Sequence, residues 1–239
     1  MRVKNADEPT KNPRPRIFKE VFDKSTVDAI WKLIRKKEMD GLEHIVNTGK
    51  EANVFRALFG DKARACKIYR YETSSFDSMW KYIQGDKRFE DVRHNKRELV
   101  NAWCKKEYKN LELARKAGCR VPRPHAFLKN VLIMDFIGEE QAAPMLKDIK
   151  LDDYESAYWM IANDMQKLYE AGLVHADISE YNVLIWQGET WLIDMGQAVL
   201  TSHPHSQEFL ERDVKNLVRY FKEQGIKCDE KNTLKHITS

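Results

Sequence analysis

The stretch "LVHADISEYNVLIWQGETWLIDMGQAV", residues 173–199, decides how this chain is read. "NVLIW" and "TWLID" have the length and composition of two short strands around a turn at Gly188. His175, Asp177, Asn182 and Asp194 stand at fixed offsets around these apolar runs. Asp177 and Asn182 occupy the loop before the first strand, and Asp194 ends the second. A hairpin of this kind is expected to bring Asn182 and Asp194 together, with Asp177 beside them. Two such oxygen ligands suit Mg²⁺, which takes few protein groups and keeps water or phosphate for the rest. A neighbouring carboxylate can orient or deprotonate a hydroxyl. Asp and Asn are also common in loops for turn chemistry alone, so any one of them is explained without a site. Turn chemistry does not explain H-x-D-x-x-x-x-N followed by a strand and then D-x-G.

The surroundings set the class. At 239 residues the chain is long enough for one large or two-lobed domain with a sizeable core. Apolar residues at 42% and charged ones at 33% are ordinary for a soluble globular protein. The net charge of +4 permits contact with phosphate or nucleic acid but does not demand it. Cys66, Cys104, Cys119 and Cys228 form neither a CxxC pair nor a disulfide framework, which suggests a reduced, cytoplasmic compartment. No leader is evident, and no apolar run approaches the ~18 residues of a membrane span, so no membrane partner is expected.

Along the chain, residues 1–24 are expected to be a flexible tail, with three prolines among the first sixteen residues. Residues 25–40 are expected to add a helix, with Ser25 as N-cap and Val27, Ile30, Trp31 and Ile34 on one face. Alternation through Val54–Leu58 and Ala65–Tyr69 predicts two strands joined at Gly60–Asp61. The almost wholly charged segment 85–98 reads as a mobile loop or solvated helix end. A helix from about Glu98 to Ala117 stops at Gly118. "NVLIMDFIG" reads as a buried strand, "YESAYWMIANDMQKLYEAG" as an amphipathic helix, and "RDVKNLVRYFKEQG" as a last helix.

Three further features bear on chemistry. Lys67 lies within a strand, where it faces either solvent or, at a cost, the interior. The helix 98–117 carries an apolar seam of Val100, Cys104, Leu111 and Ala114, and Glu107 falls in its gap. An acid on a packed stripe needs a cation, and Lys67 is the natural candidate. The alternative is an exposed Glu107 paired locally with Lys106 or Lys109. "NTGKEANVF" between two strands has one glycine, Gly49, and reads as a phosphate cover or as an ordinary hairpin turn. "LIMDFIGEE" leads from a strand into a linker, where adenine can bond to the main chain at Asp135 and Ile137 with Met134 as gate.

With those residues in hand, the order H-x-D-x-x-x-x-N, strand, D-x-G matches the catalytic and metal-binding loops of kinases. The chain resembles the RIO family of atypical serine/threonine protein kinases, in the short archaeal form of its Rio-one subfamily. The matching pieces are "NTGKEANVF", "ACKIYR", "LIMDFIGE", "LVHADISEYN" and "IDMGQAV", over roughly residues 40–200. The resemblance implies an α+β, two-lobed protein-kinase-like fold. Its N-lobe (41–137) is β-rich, with a flexible loop about 84–97. Its mainly helical C-lobe (138–239) is truncated, without an activation segment or peptide-binding helices.

The resemblance also implies site roles. ATP lies in the cleft under the loop Thr48, Gly49, Lys50, Glu51, Ala52, Asn53 and Val54. Lys67 holds the α/β-phosphates and pairs with Glu107. Met134, Asp135 and Ile137 surround adenine. Asp177 is the catalytic base, and Asn182 and Asp194 bind Mg²⁺, with Mn²⁺ as a possible substitute. Asp213 braces the catalytic loop or serves as a charge at a helix N-terminus. Ser179 stands where many kinases place a lysine.

The family further implies a part in small ribosomal subunit maturation on a pre-ribosomal particle and its rRNA. It also implies a second chemistry, ATP hydrolysis through a phosphoaspartate on Asp194. The protein substrate is not specified. Residues 83–98 hold no Ser or Thr, so any autophosphorylation is expected elsewhere, for instance at Ser74, Ser75 or Ser78. A small-molecule phosphotransferase shares the H-x-D and D-x-G patterns, but "TGKEANV" argues against it. A non-catalytic pseudokinase would lack one of Lys67, Asp177, Asn182 or Asp194, and all are present.

Overall fold

Asp23 starts the first helix, α1 (Lys24–Arg35). Its carboxylate accepts from the Ser25 amide at 2.8 Å and the Thr26 amide at 3.3 Å. The expected cap was Ser25. A carboxylate two residues earlier takes the free amides instead, and Ser25 falls inside the helix. The computed structural model describes residues 22–72 and 76–239, so the expected tail at 1–24 lies almost wholly outside the described residues.

Three strands follow: β1 (Gly41–Thr48), β2 (Ala52–Phe59) and β3 (Lys62–Tyr69). With β4 (Pro124–Leu128) and β5 (Val131–Asp135) they form an antiparallel sheet of order β1-β2-β3-β5-β4. Strand alternation gives this sheet two faces. Cys66, Ile68, Val131 and Ile133 pack with Ala29, Ile30 and Leu33 of α1. Ala65, Leu132 and Met134 join the main core on the opposite face. Lys67 therefore points away from α1, toward the rest of the protein. Leu33 is 1% exposed, and truncating such a side chain to alanine typically costs about 2–5 kcal/mol.

Helix α2 (Phe76–Ile83) was not foreseen. The charged segment after it holds a short 3-10 turn, Lys87–Phe89, in which Asp86 and Phe89 are buried and Arg88 bonds the Asp86 carboxylate. Helix α3 (Lys96–Lys116) then runs 21 residues, capped by Asn95. The second half contains α4 (Tyr154–Glu170), the hairpin β7 (Val183–Trp186) and β8 (Glu189–Leu192), and α5 (Ser206–Glu223). A small pair, β6 (Leu173–Val174) with β9 (Val199–Leu200), ties residues 173–174 to the stretch after Asp194.

Two expectations need adjusting here. Asp194 does not end β8 but lies two residues beyond it, at φ 61. The helix at "RDVKNLVRYFKEQG" begins at Ser206 and is followed by a further helix, α6 (Glu230–Thr238), capped by Asp229 and packed on α4 and α5. Residues 195–205 contain only β9, which leaves no long activation segment between Asp194 and α5. The architecture is a β-rich lobe with helices α1–α3 and a mainly helical second lobe. No helix among the described residues is long and apolar enough to cross a membrane.

Asp23→Ala removes the acceptor for two α1 amides and is expected to cost about 1 kcal/mol. The shift in urea midpoint at unchanged slope measures it.

Candidate functional site

Lys67 stands where the sheet meets α3 and the loop after β8. Its register partners are Val54 on β2 and Leu132 on β5. Its Nζ donates to Glu107 Oε1 at 2.9 Å and to Asp194 Oδ1 at 3.0 Å. The Lys67 side chain is 7% exposed, Glu107 is fully buried and Asp194 is 45% exposed. The inward alternative for Lys67 therefore holds, and Glu107 pairs with Lys67 rather than with a helix neighbour. Burial alone would lower the Lys67 pKa, but Asp194 and Glu107 hold it above the ordinary lysine range. Burial lifts the Glu107 carboxyl against the pull of Lys67. Burial likewise opposes ionisation of Asp194, but Lys67 outweighs it and the carboxyl lies below its usual value. Removing one partner of a buried pair typically costs about 3–5 kcal/mol, so Lys67 and Glu107 are interdependent.

The residues of the loop 177–182 converge on the same place. Asn182 Nδ2 donates to the Asp177 carbonyl and to Asp177 Oδ2, both at 2.9 Å. Gln197 Nε2 donates to the same Oδ2 at 3.0 Å. Two donors on one oxygen leave Asp177 Oδ1 able to accept from a further donor. Asn182 turns its nitrogen to Asp177, which leaves its amide oxygen for a cation. Burial and the nearby Asp194 charge push the Asp177 pKa up to about 6.

The loop itself is held from behind. Ala176 adopts a left-handed φ of 65. The buried Asp213 accepts from the Ala176 amide at 2.7 Å and the Ile178 amide at 2.9 Å. Asp213 lies well inside α5, so it is a brace rather than a helix N-terminal charge. Arg212 donates to the Ala176 carbonyl. His175 Nε2 donates to the Ile193 carbonyl at 3.1 Å, and burial pushes its pKa down to about 4. It is a neutral strut between the two halves of the motif.

These groups open onto a cleft of about 760 Å³ between the sheet and the β7–β8 hairpin. Gly49, Lys50, Glu51, Ala52 and Val54 line its roof, and Met134, Asp135 and Ile137 its rear wall. Lys67, Asp177, Asn182 and Asp194 line the side where they meet. Thr48 and Asn53 do not line it; Asn53 Oδ1 accepts from Arg70 at 2.9 Å. Glu107 sits behind Lys67. The roof is a tight turn in which the Gly49 amide donates to the Ala52 carbonyl at 2.9 Å. A Cβ on Gly49 would come within 3.0 Å of that carbonyl. Gln197, Tyr69 and Tyr181 also line the cleft and were not foreseen. Gln197 follows the D-x-G directly, but nothing in its type signals that it reaches back to Asp177. Of the serines expected to take phosphate, Ser78 lies on α2, and Ser74 and Ser75 fall outside the described residues.

Asp213→Asn keeps the size of the brace but turns an amide donor toward an amide donor. It is expected to cost about 1–3 kcal/mol of stability, because a buried group loses its partner. Denaturant unfolding checks it.

Comparison with known proteins bears on family and fold. Residues 53–234 match the RIO domain. The RIO-type serine/threonine-protein kinase Rio1 of Haloferax volcanii is 42% identical over 100% of this chain and 81% of its own length. That of Methanocaldococcus jannaschii is 42% identical over 92% of this chain and 76% of its own. The Rio2 kinase of Chaetomium thermophilum, solved as an ADP/Mg²⁺–phosphoaspartate complex, shares the fold. Its TM-score is 0.68 at 19% identity, covering 90% of this chain and 67% of that one. A two-lobed kinase fold, a matched RIO domain and close likeness to archaeal Rio1 proteins lead to one assignment: the chain belongs to the RIO family of serine/threonine protein kinases.

Proposed function

We propose that this protein transfers the γ-phosphoryl group of ATP, with Mg²⁺, to a serine or threonine hydroxyl. The observation that carries the reading is the Lys67 ammonium bonded at once to Glu107 and Asp194 at the wall of the cleft. In this reading Lys67 binds the α/β-phosphates and Glu107 keeps it aimed. The turn from Gly49 to Ala52 covers the phosphates, with Thr48, Asn53 and Val54 shaping its flanks. Adenine lies against Met134 and bonds to the main chain at Asp135 and Ile137. The Ile137 carbonyl already accepts from Ala143 at 2.9 Å, which leaves the Ile137 N–H as the group on offer. Asp177, ionised at neutral pH, receives the hydroxyl proton. The domain division follows the same reading: tail 1–24, helical extension 25–40, N-lobe 41–137 and C-lobe 138–239.

The donor set fits Mg²⁺. Asn182 and Asp194 offer one amide oxygen and one carboxylate, and among the described residues no cluster of three or more His, Cys, Asp or Glu forms a separate metal cage. A cation held this way needs phosphate oxygens to complete its shell, and Mg²⁺ accepts that arrangement. Mn²⁺ is expected to substitute. When bound, the ion neutralises phosphate charge.

A second reading is an ATPase switch. Asp194 is half-exposed to the cleft beside Lys67. Its carboxylate oxygen can attack the γ-phosphorus with ADP leaving, and water then cleaves the acyl phosphate. The Rio2 complex named above carries such a phosphoaspartate. Family membership and the mild positive charge favour a cytoplasmic role in small ribosomal subunit maturation, on a pre-ribosomal particle and its rRNA.

Labelled ATP and Mg²⁺ separate the readings. Acid-stable phosphoserine as the main product supports the kinase. Hydroxylamine-labile phosphate with steady phosphate release supports the switch, and preferred transfer to small alcohols overturns both. Asp177→Asn is expected to lower transfer by roughly 10²–10⁴-fold, the usual worth of a general base. In the wild type, kcat/KM should rise with pH through about 6 as Asp177 ionises and then level off. A pH–rate profile flat from 5 to 8 would show that Asp177 is not the base.

A further inference from the structure

The helix that carries Glu107 also grips the chain on the far side of Asp194. Lys106 and Asn110 stand one turn apart on α3, and both are fully buried. Lys106 Nζ donates to the Gly196 carbonyl at 2.9 Å and to the Ala198 carbonyl. Asn110 Nδ2 donates to the Met195 carbonyl at 2.9 Å and the Ala198 carbonyl at 2.7 Å. Trp103, on the preceding turn, closes the same segment. A Cβ on Gly196 would lie 2.8 Å from its Nε1, and its ring lies 5.4 Å from Lys106 Nζ.

A lysine buried without a bonded carboxylate is an expensive way to pack a helix. An apolar side chain would fill the same space at lower cost. What Lys106 and Asn110 supply is hydrogen-bond donors for three carbonyls of an irregular segment, residues 195–198. That segment begins next to a residue held at a left-handed φ. Buried carbonyls of this kind must be satisfied locally, and fixing them fixes the turn.

We propose that Lys106 and Asn110 are positioning residues for Asp194: by holding the main chain of residues 195–198 against α3, they set its carboxylate relative to Lys67 and Glu107. Helix and loop then behave as one block, so that the phosphate-binding and metal-binding groups keep a common register. The inference rests on the reading of Asp194 as a ligand of the Mg²⁺ that accompanies ATP.

The test uses the full chain and two readouts. One is ATP binding titrated with and without Mg²⁺. The other is hydrogen exchange at the amides of residues 195–199. Lys106→Met and Asn110→Ala are each expected to weaken the Mg²⁺-dependent part of ATP binding by roughly 10- to 100-fold, the usual effect of losing groups that orient a metal ligand. Metal-free ATP binding should stay as in the wild type, and exchange at 195–199 should rise. The double variant should fall well short of additive, since both act on one segment. Ile237→Ala, on the buried face of α6, is the control for lost stability and should leave the Mg²⁺ dependence unchanged. Should Lys106→Met not fold, Asn110→Ala carries the test alone. Wild-type Mg²⁺ dependence in the folded variants, with Asp194→Asn losing it, overturns the positioning role. Retention of Mg²⁺ dependence by Asp194→Asn overturns the metal reading itself, and the positioning role with it.

Discussion

A single ammonium group, Lys67 Nζ, is the point on which this structure turns. It is nearly excluded from water, and a cation there is tolerable only with carboxylates in contact. One comes from α3 and one from the loop after β8, so three separate elements are obliged to meet. The sheet supplies the direction. With Cys66 and Ile68 committed to the α1 face, the alternation of β3 sends Lys67 the other way. The electrostatic requirement and the packing requirement therefore select the same arrangement, and neither alone would fix it.

The second lobe meets a related constraint with neutral hydrogen bonds as well as charge. The loop that carries Asp177 departs from regular structure at Ala176, and its amides cannot be served by a strand or helix ladder. Asp213 accepts from the Ala176 and Ile178 amides, Arg212 donates to the Ala176 carbonyl, and His175 donates to the Ile193 carbonyl. None of the three lines the cleft. They fix the main chain on either side of Asp177, and Asn182 and Gln197 then both donate to its Oδ2, an asymmetry that a lone carboxylate on a mobile loop would not have.

Much of this was legible in the sequence because the residues concerned are chemically odd for their setting. An acid in an apolar seam and a lysine in a strand each called for a partner, and Lys67 and Glu107 are bonded to one another. Asp177, Asn182 and Asp194, picked out by their spacing, line one wall of the cleft, with His175 buried behind them. The missed elements lacked such tension. Helix α2 and helix α6 are short and of ordinary composition, and Gly85, which follows α2 at a positive φ, was read as part of the charged segment after it. Strand β4 begins at Pro124, which reads as a breaker until the sheet edge is known. The Asp23 cap was overlooked because Ser25 offered a plausible cap two residues later. Gln197 was invisible because its role depends on a turn in space rather than on its neighbours in the chain.

Cys66 and Cys104 pack into the interior within a residue or one turn of the lysine and the acid just discussed. Both are fully enclosed, and burial raises both thiols far above the range in which a thiolate forms. Only the thiolate is a good nucleophile, so these sulfurs are inert toward oxidants and electrophiles despite their position. The cleft consequently offers a cysteine-directed reagent no thiol from either residue; the sulfurs that line it belong to Met134 and Met145, thioethers that peroxide can oxidise but that form no disulfide.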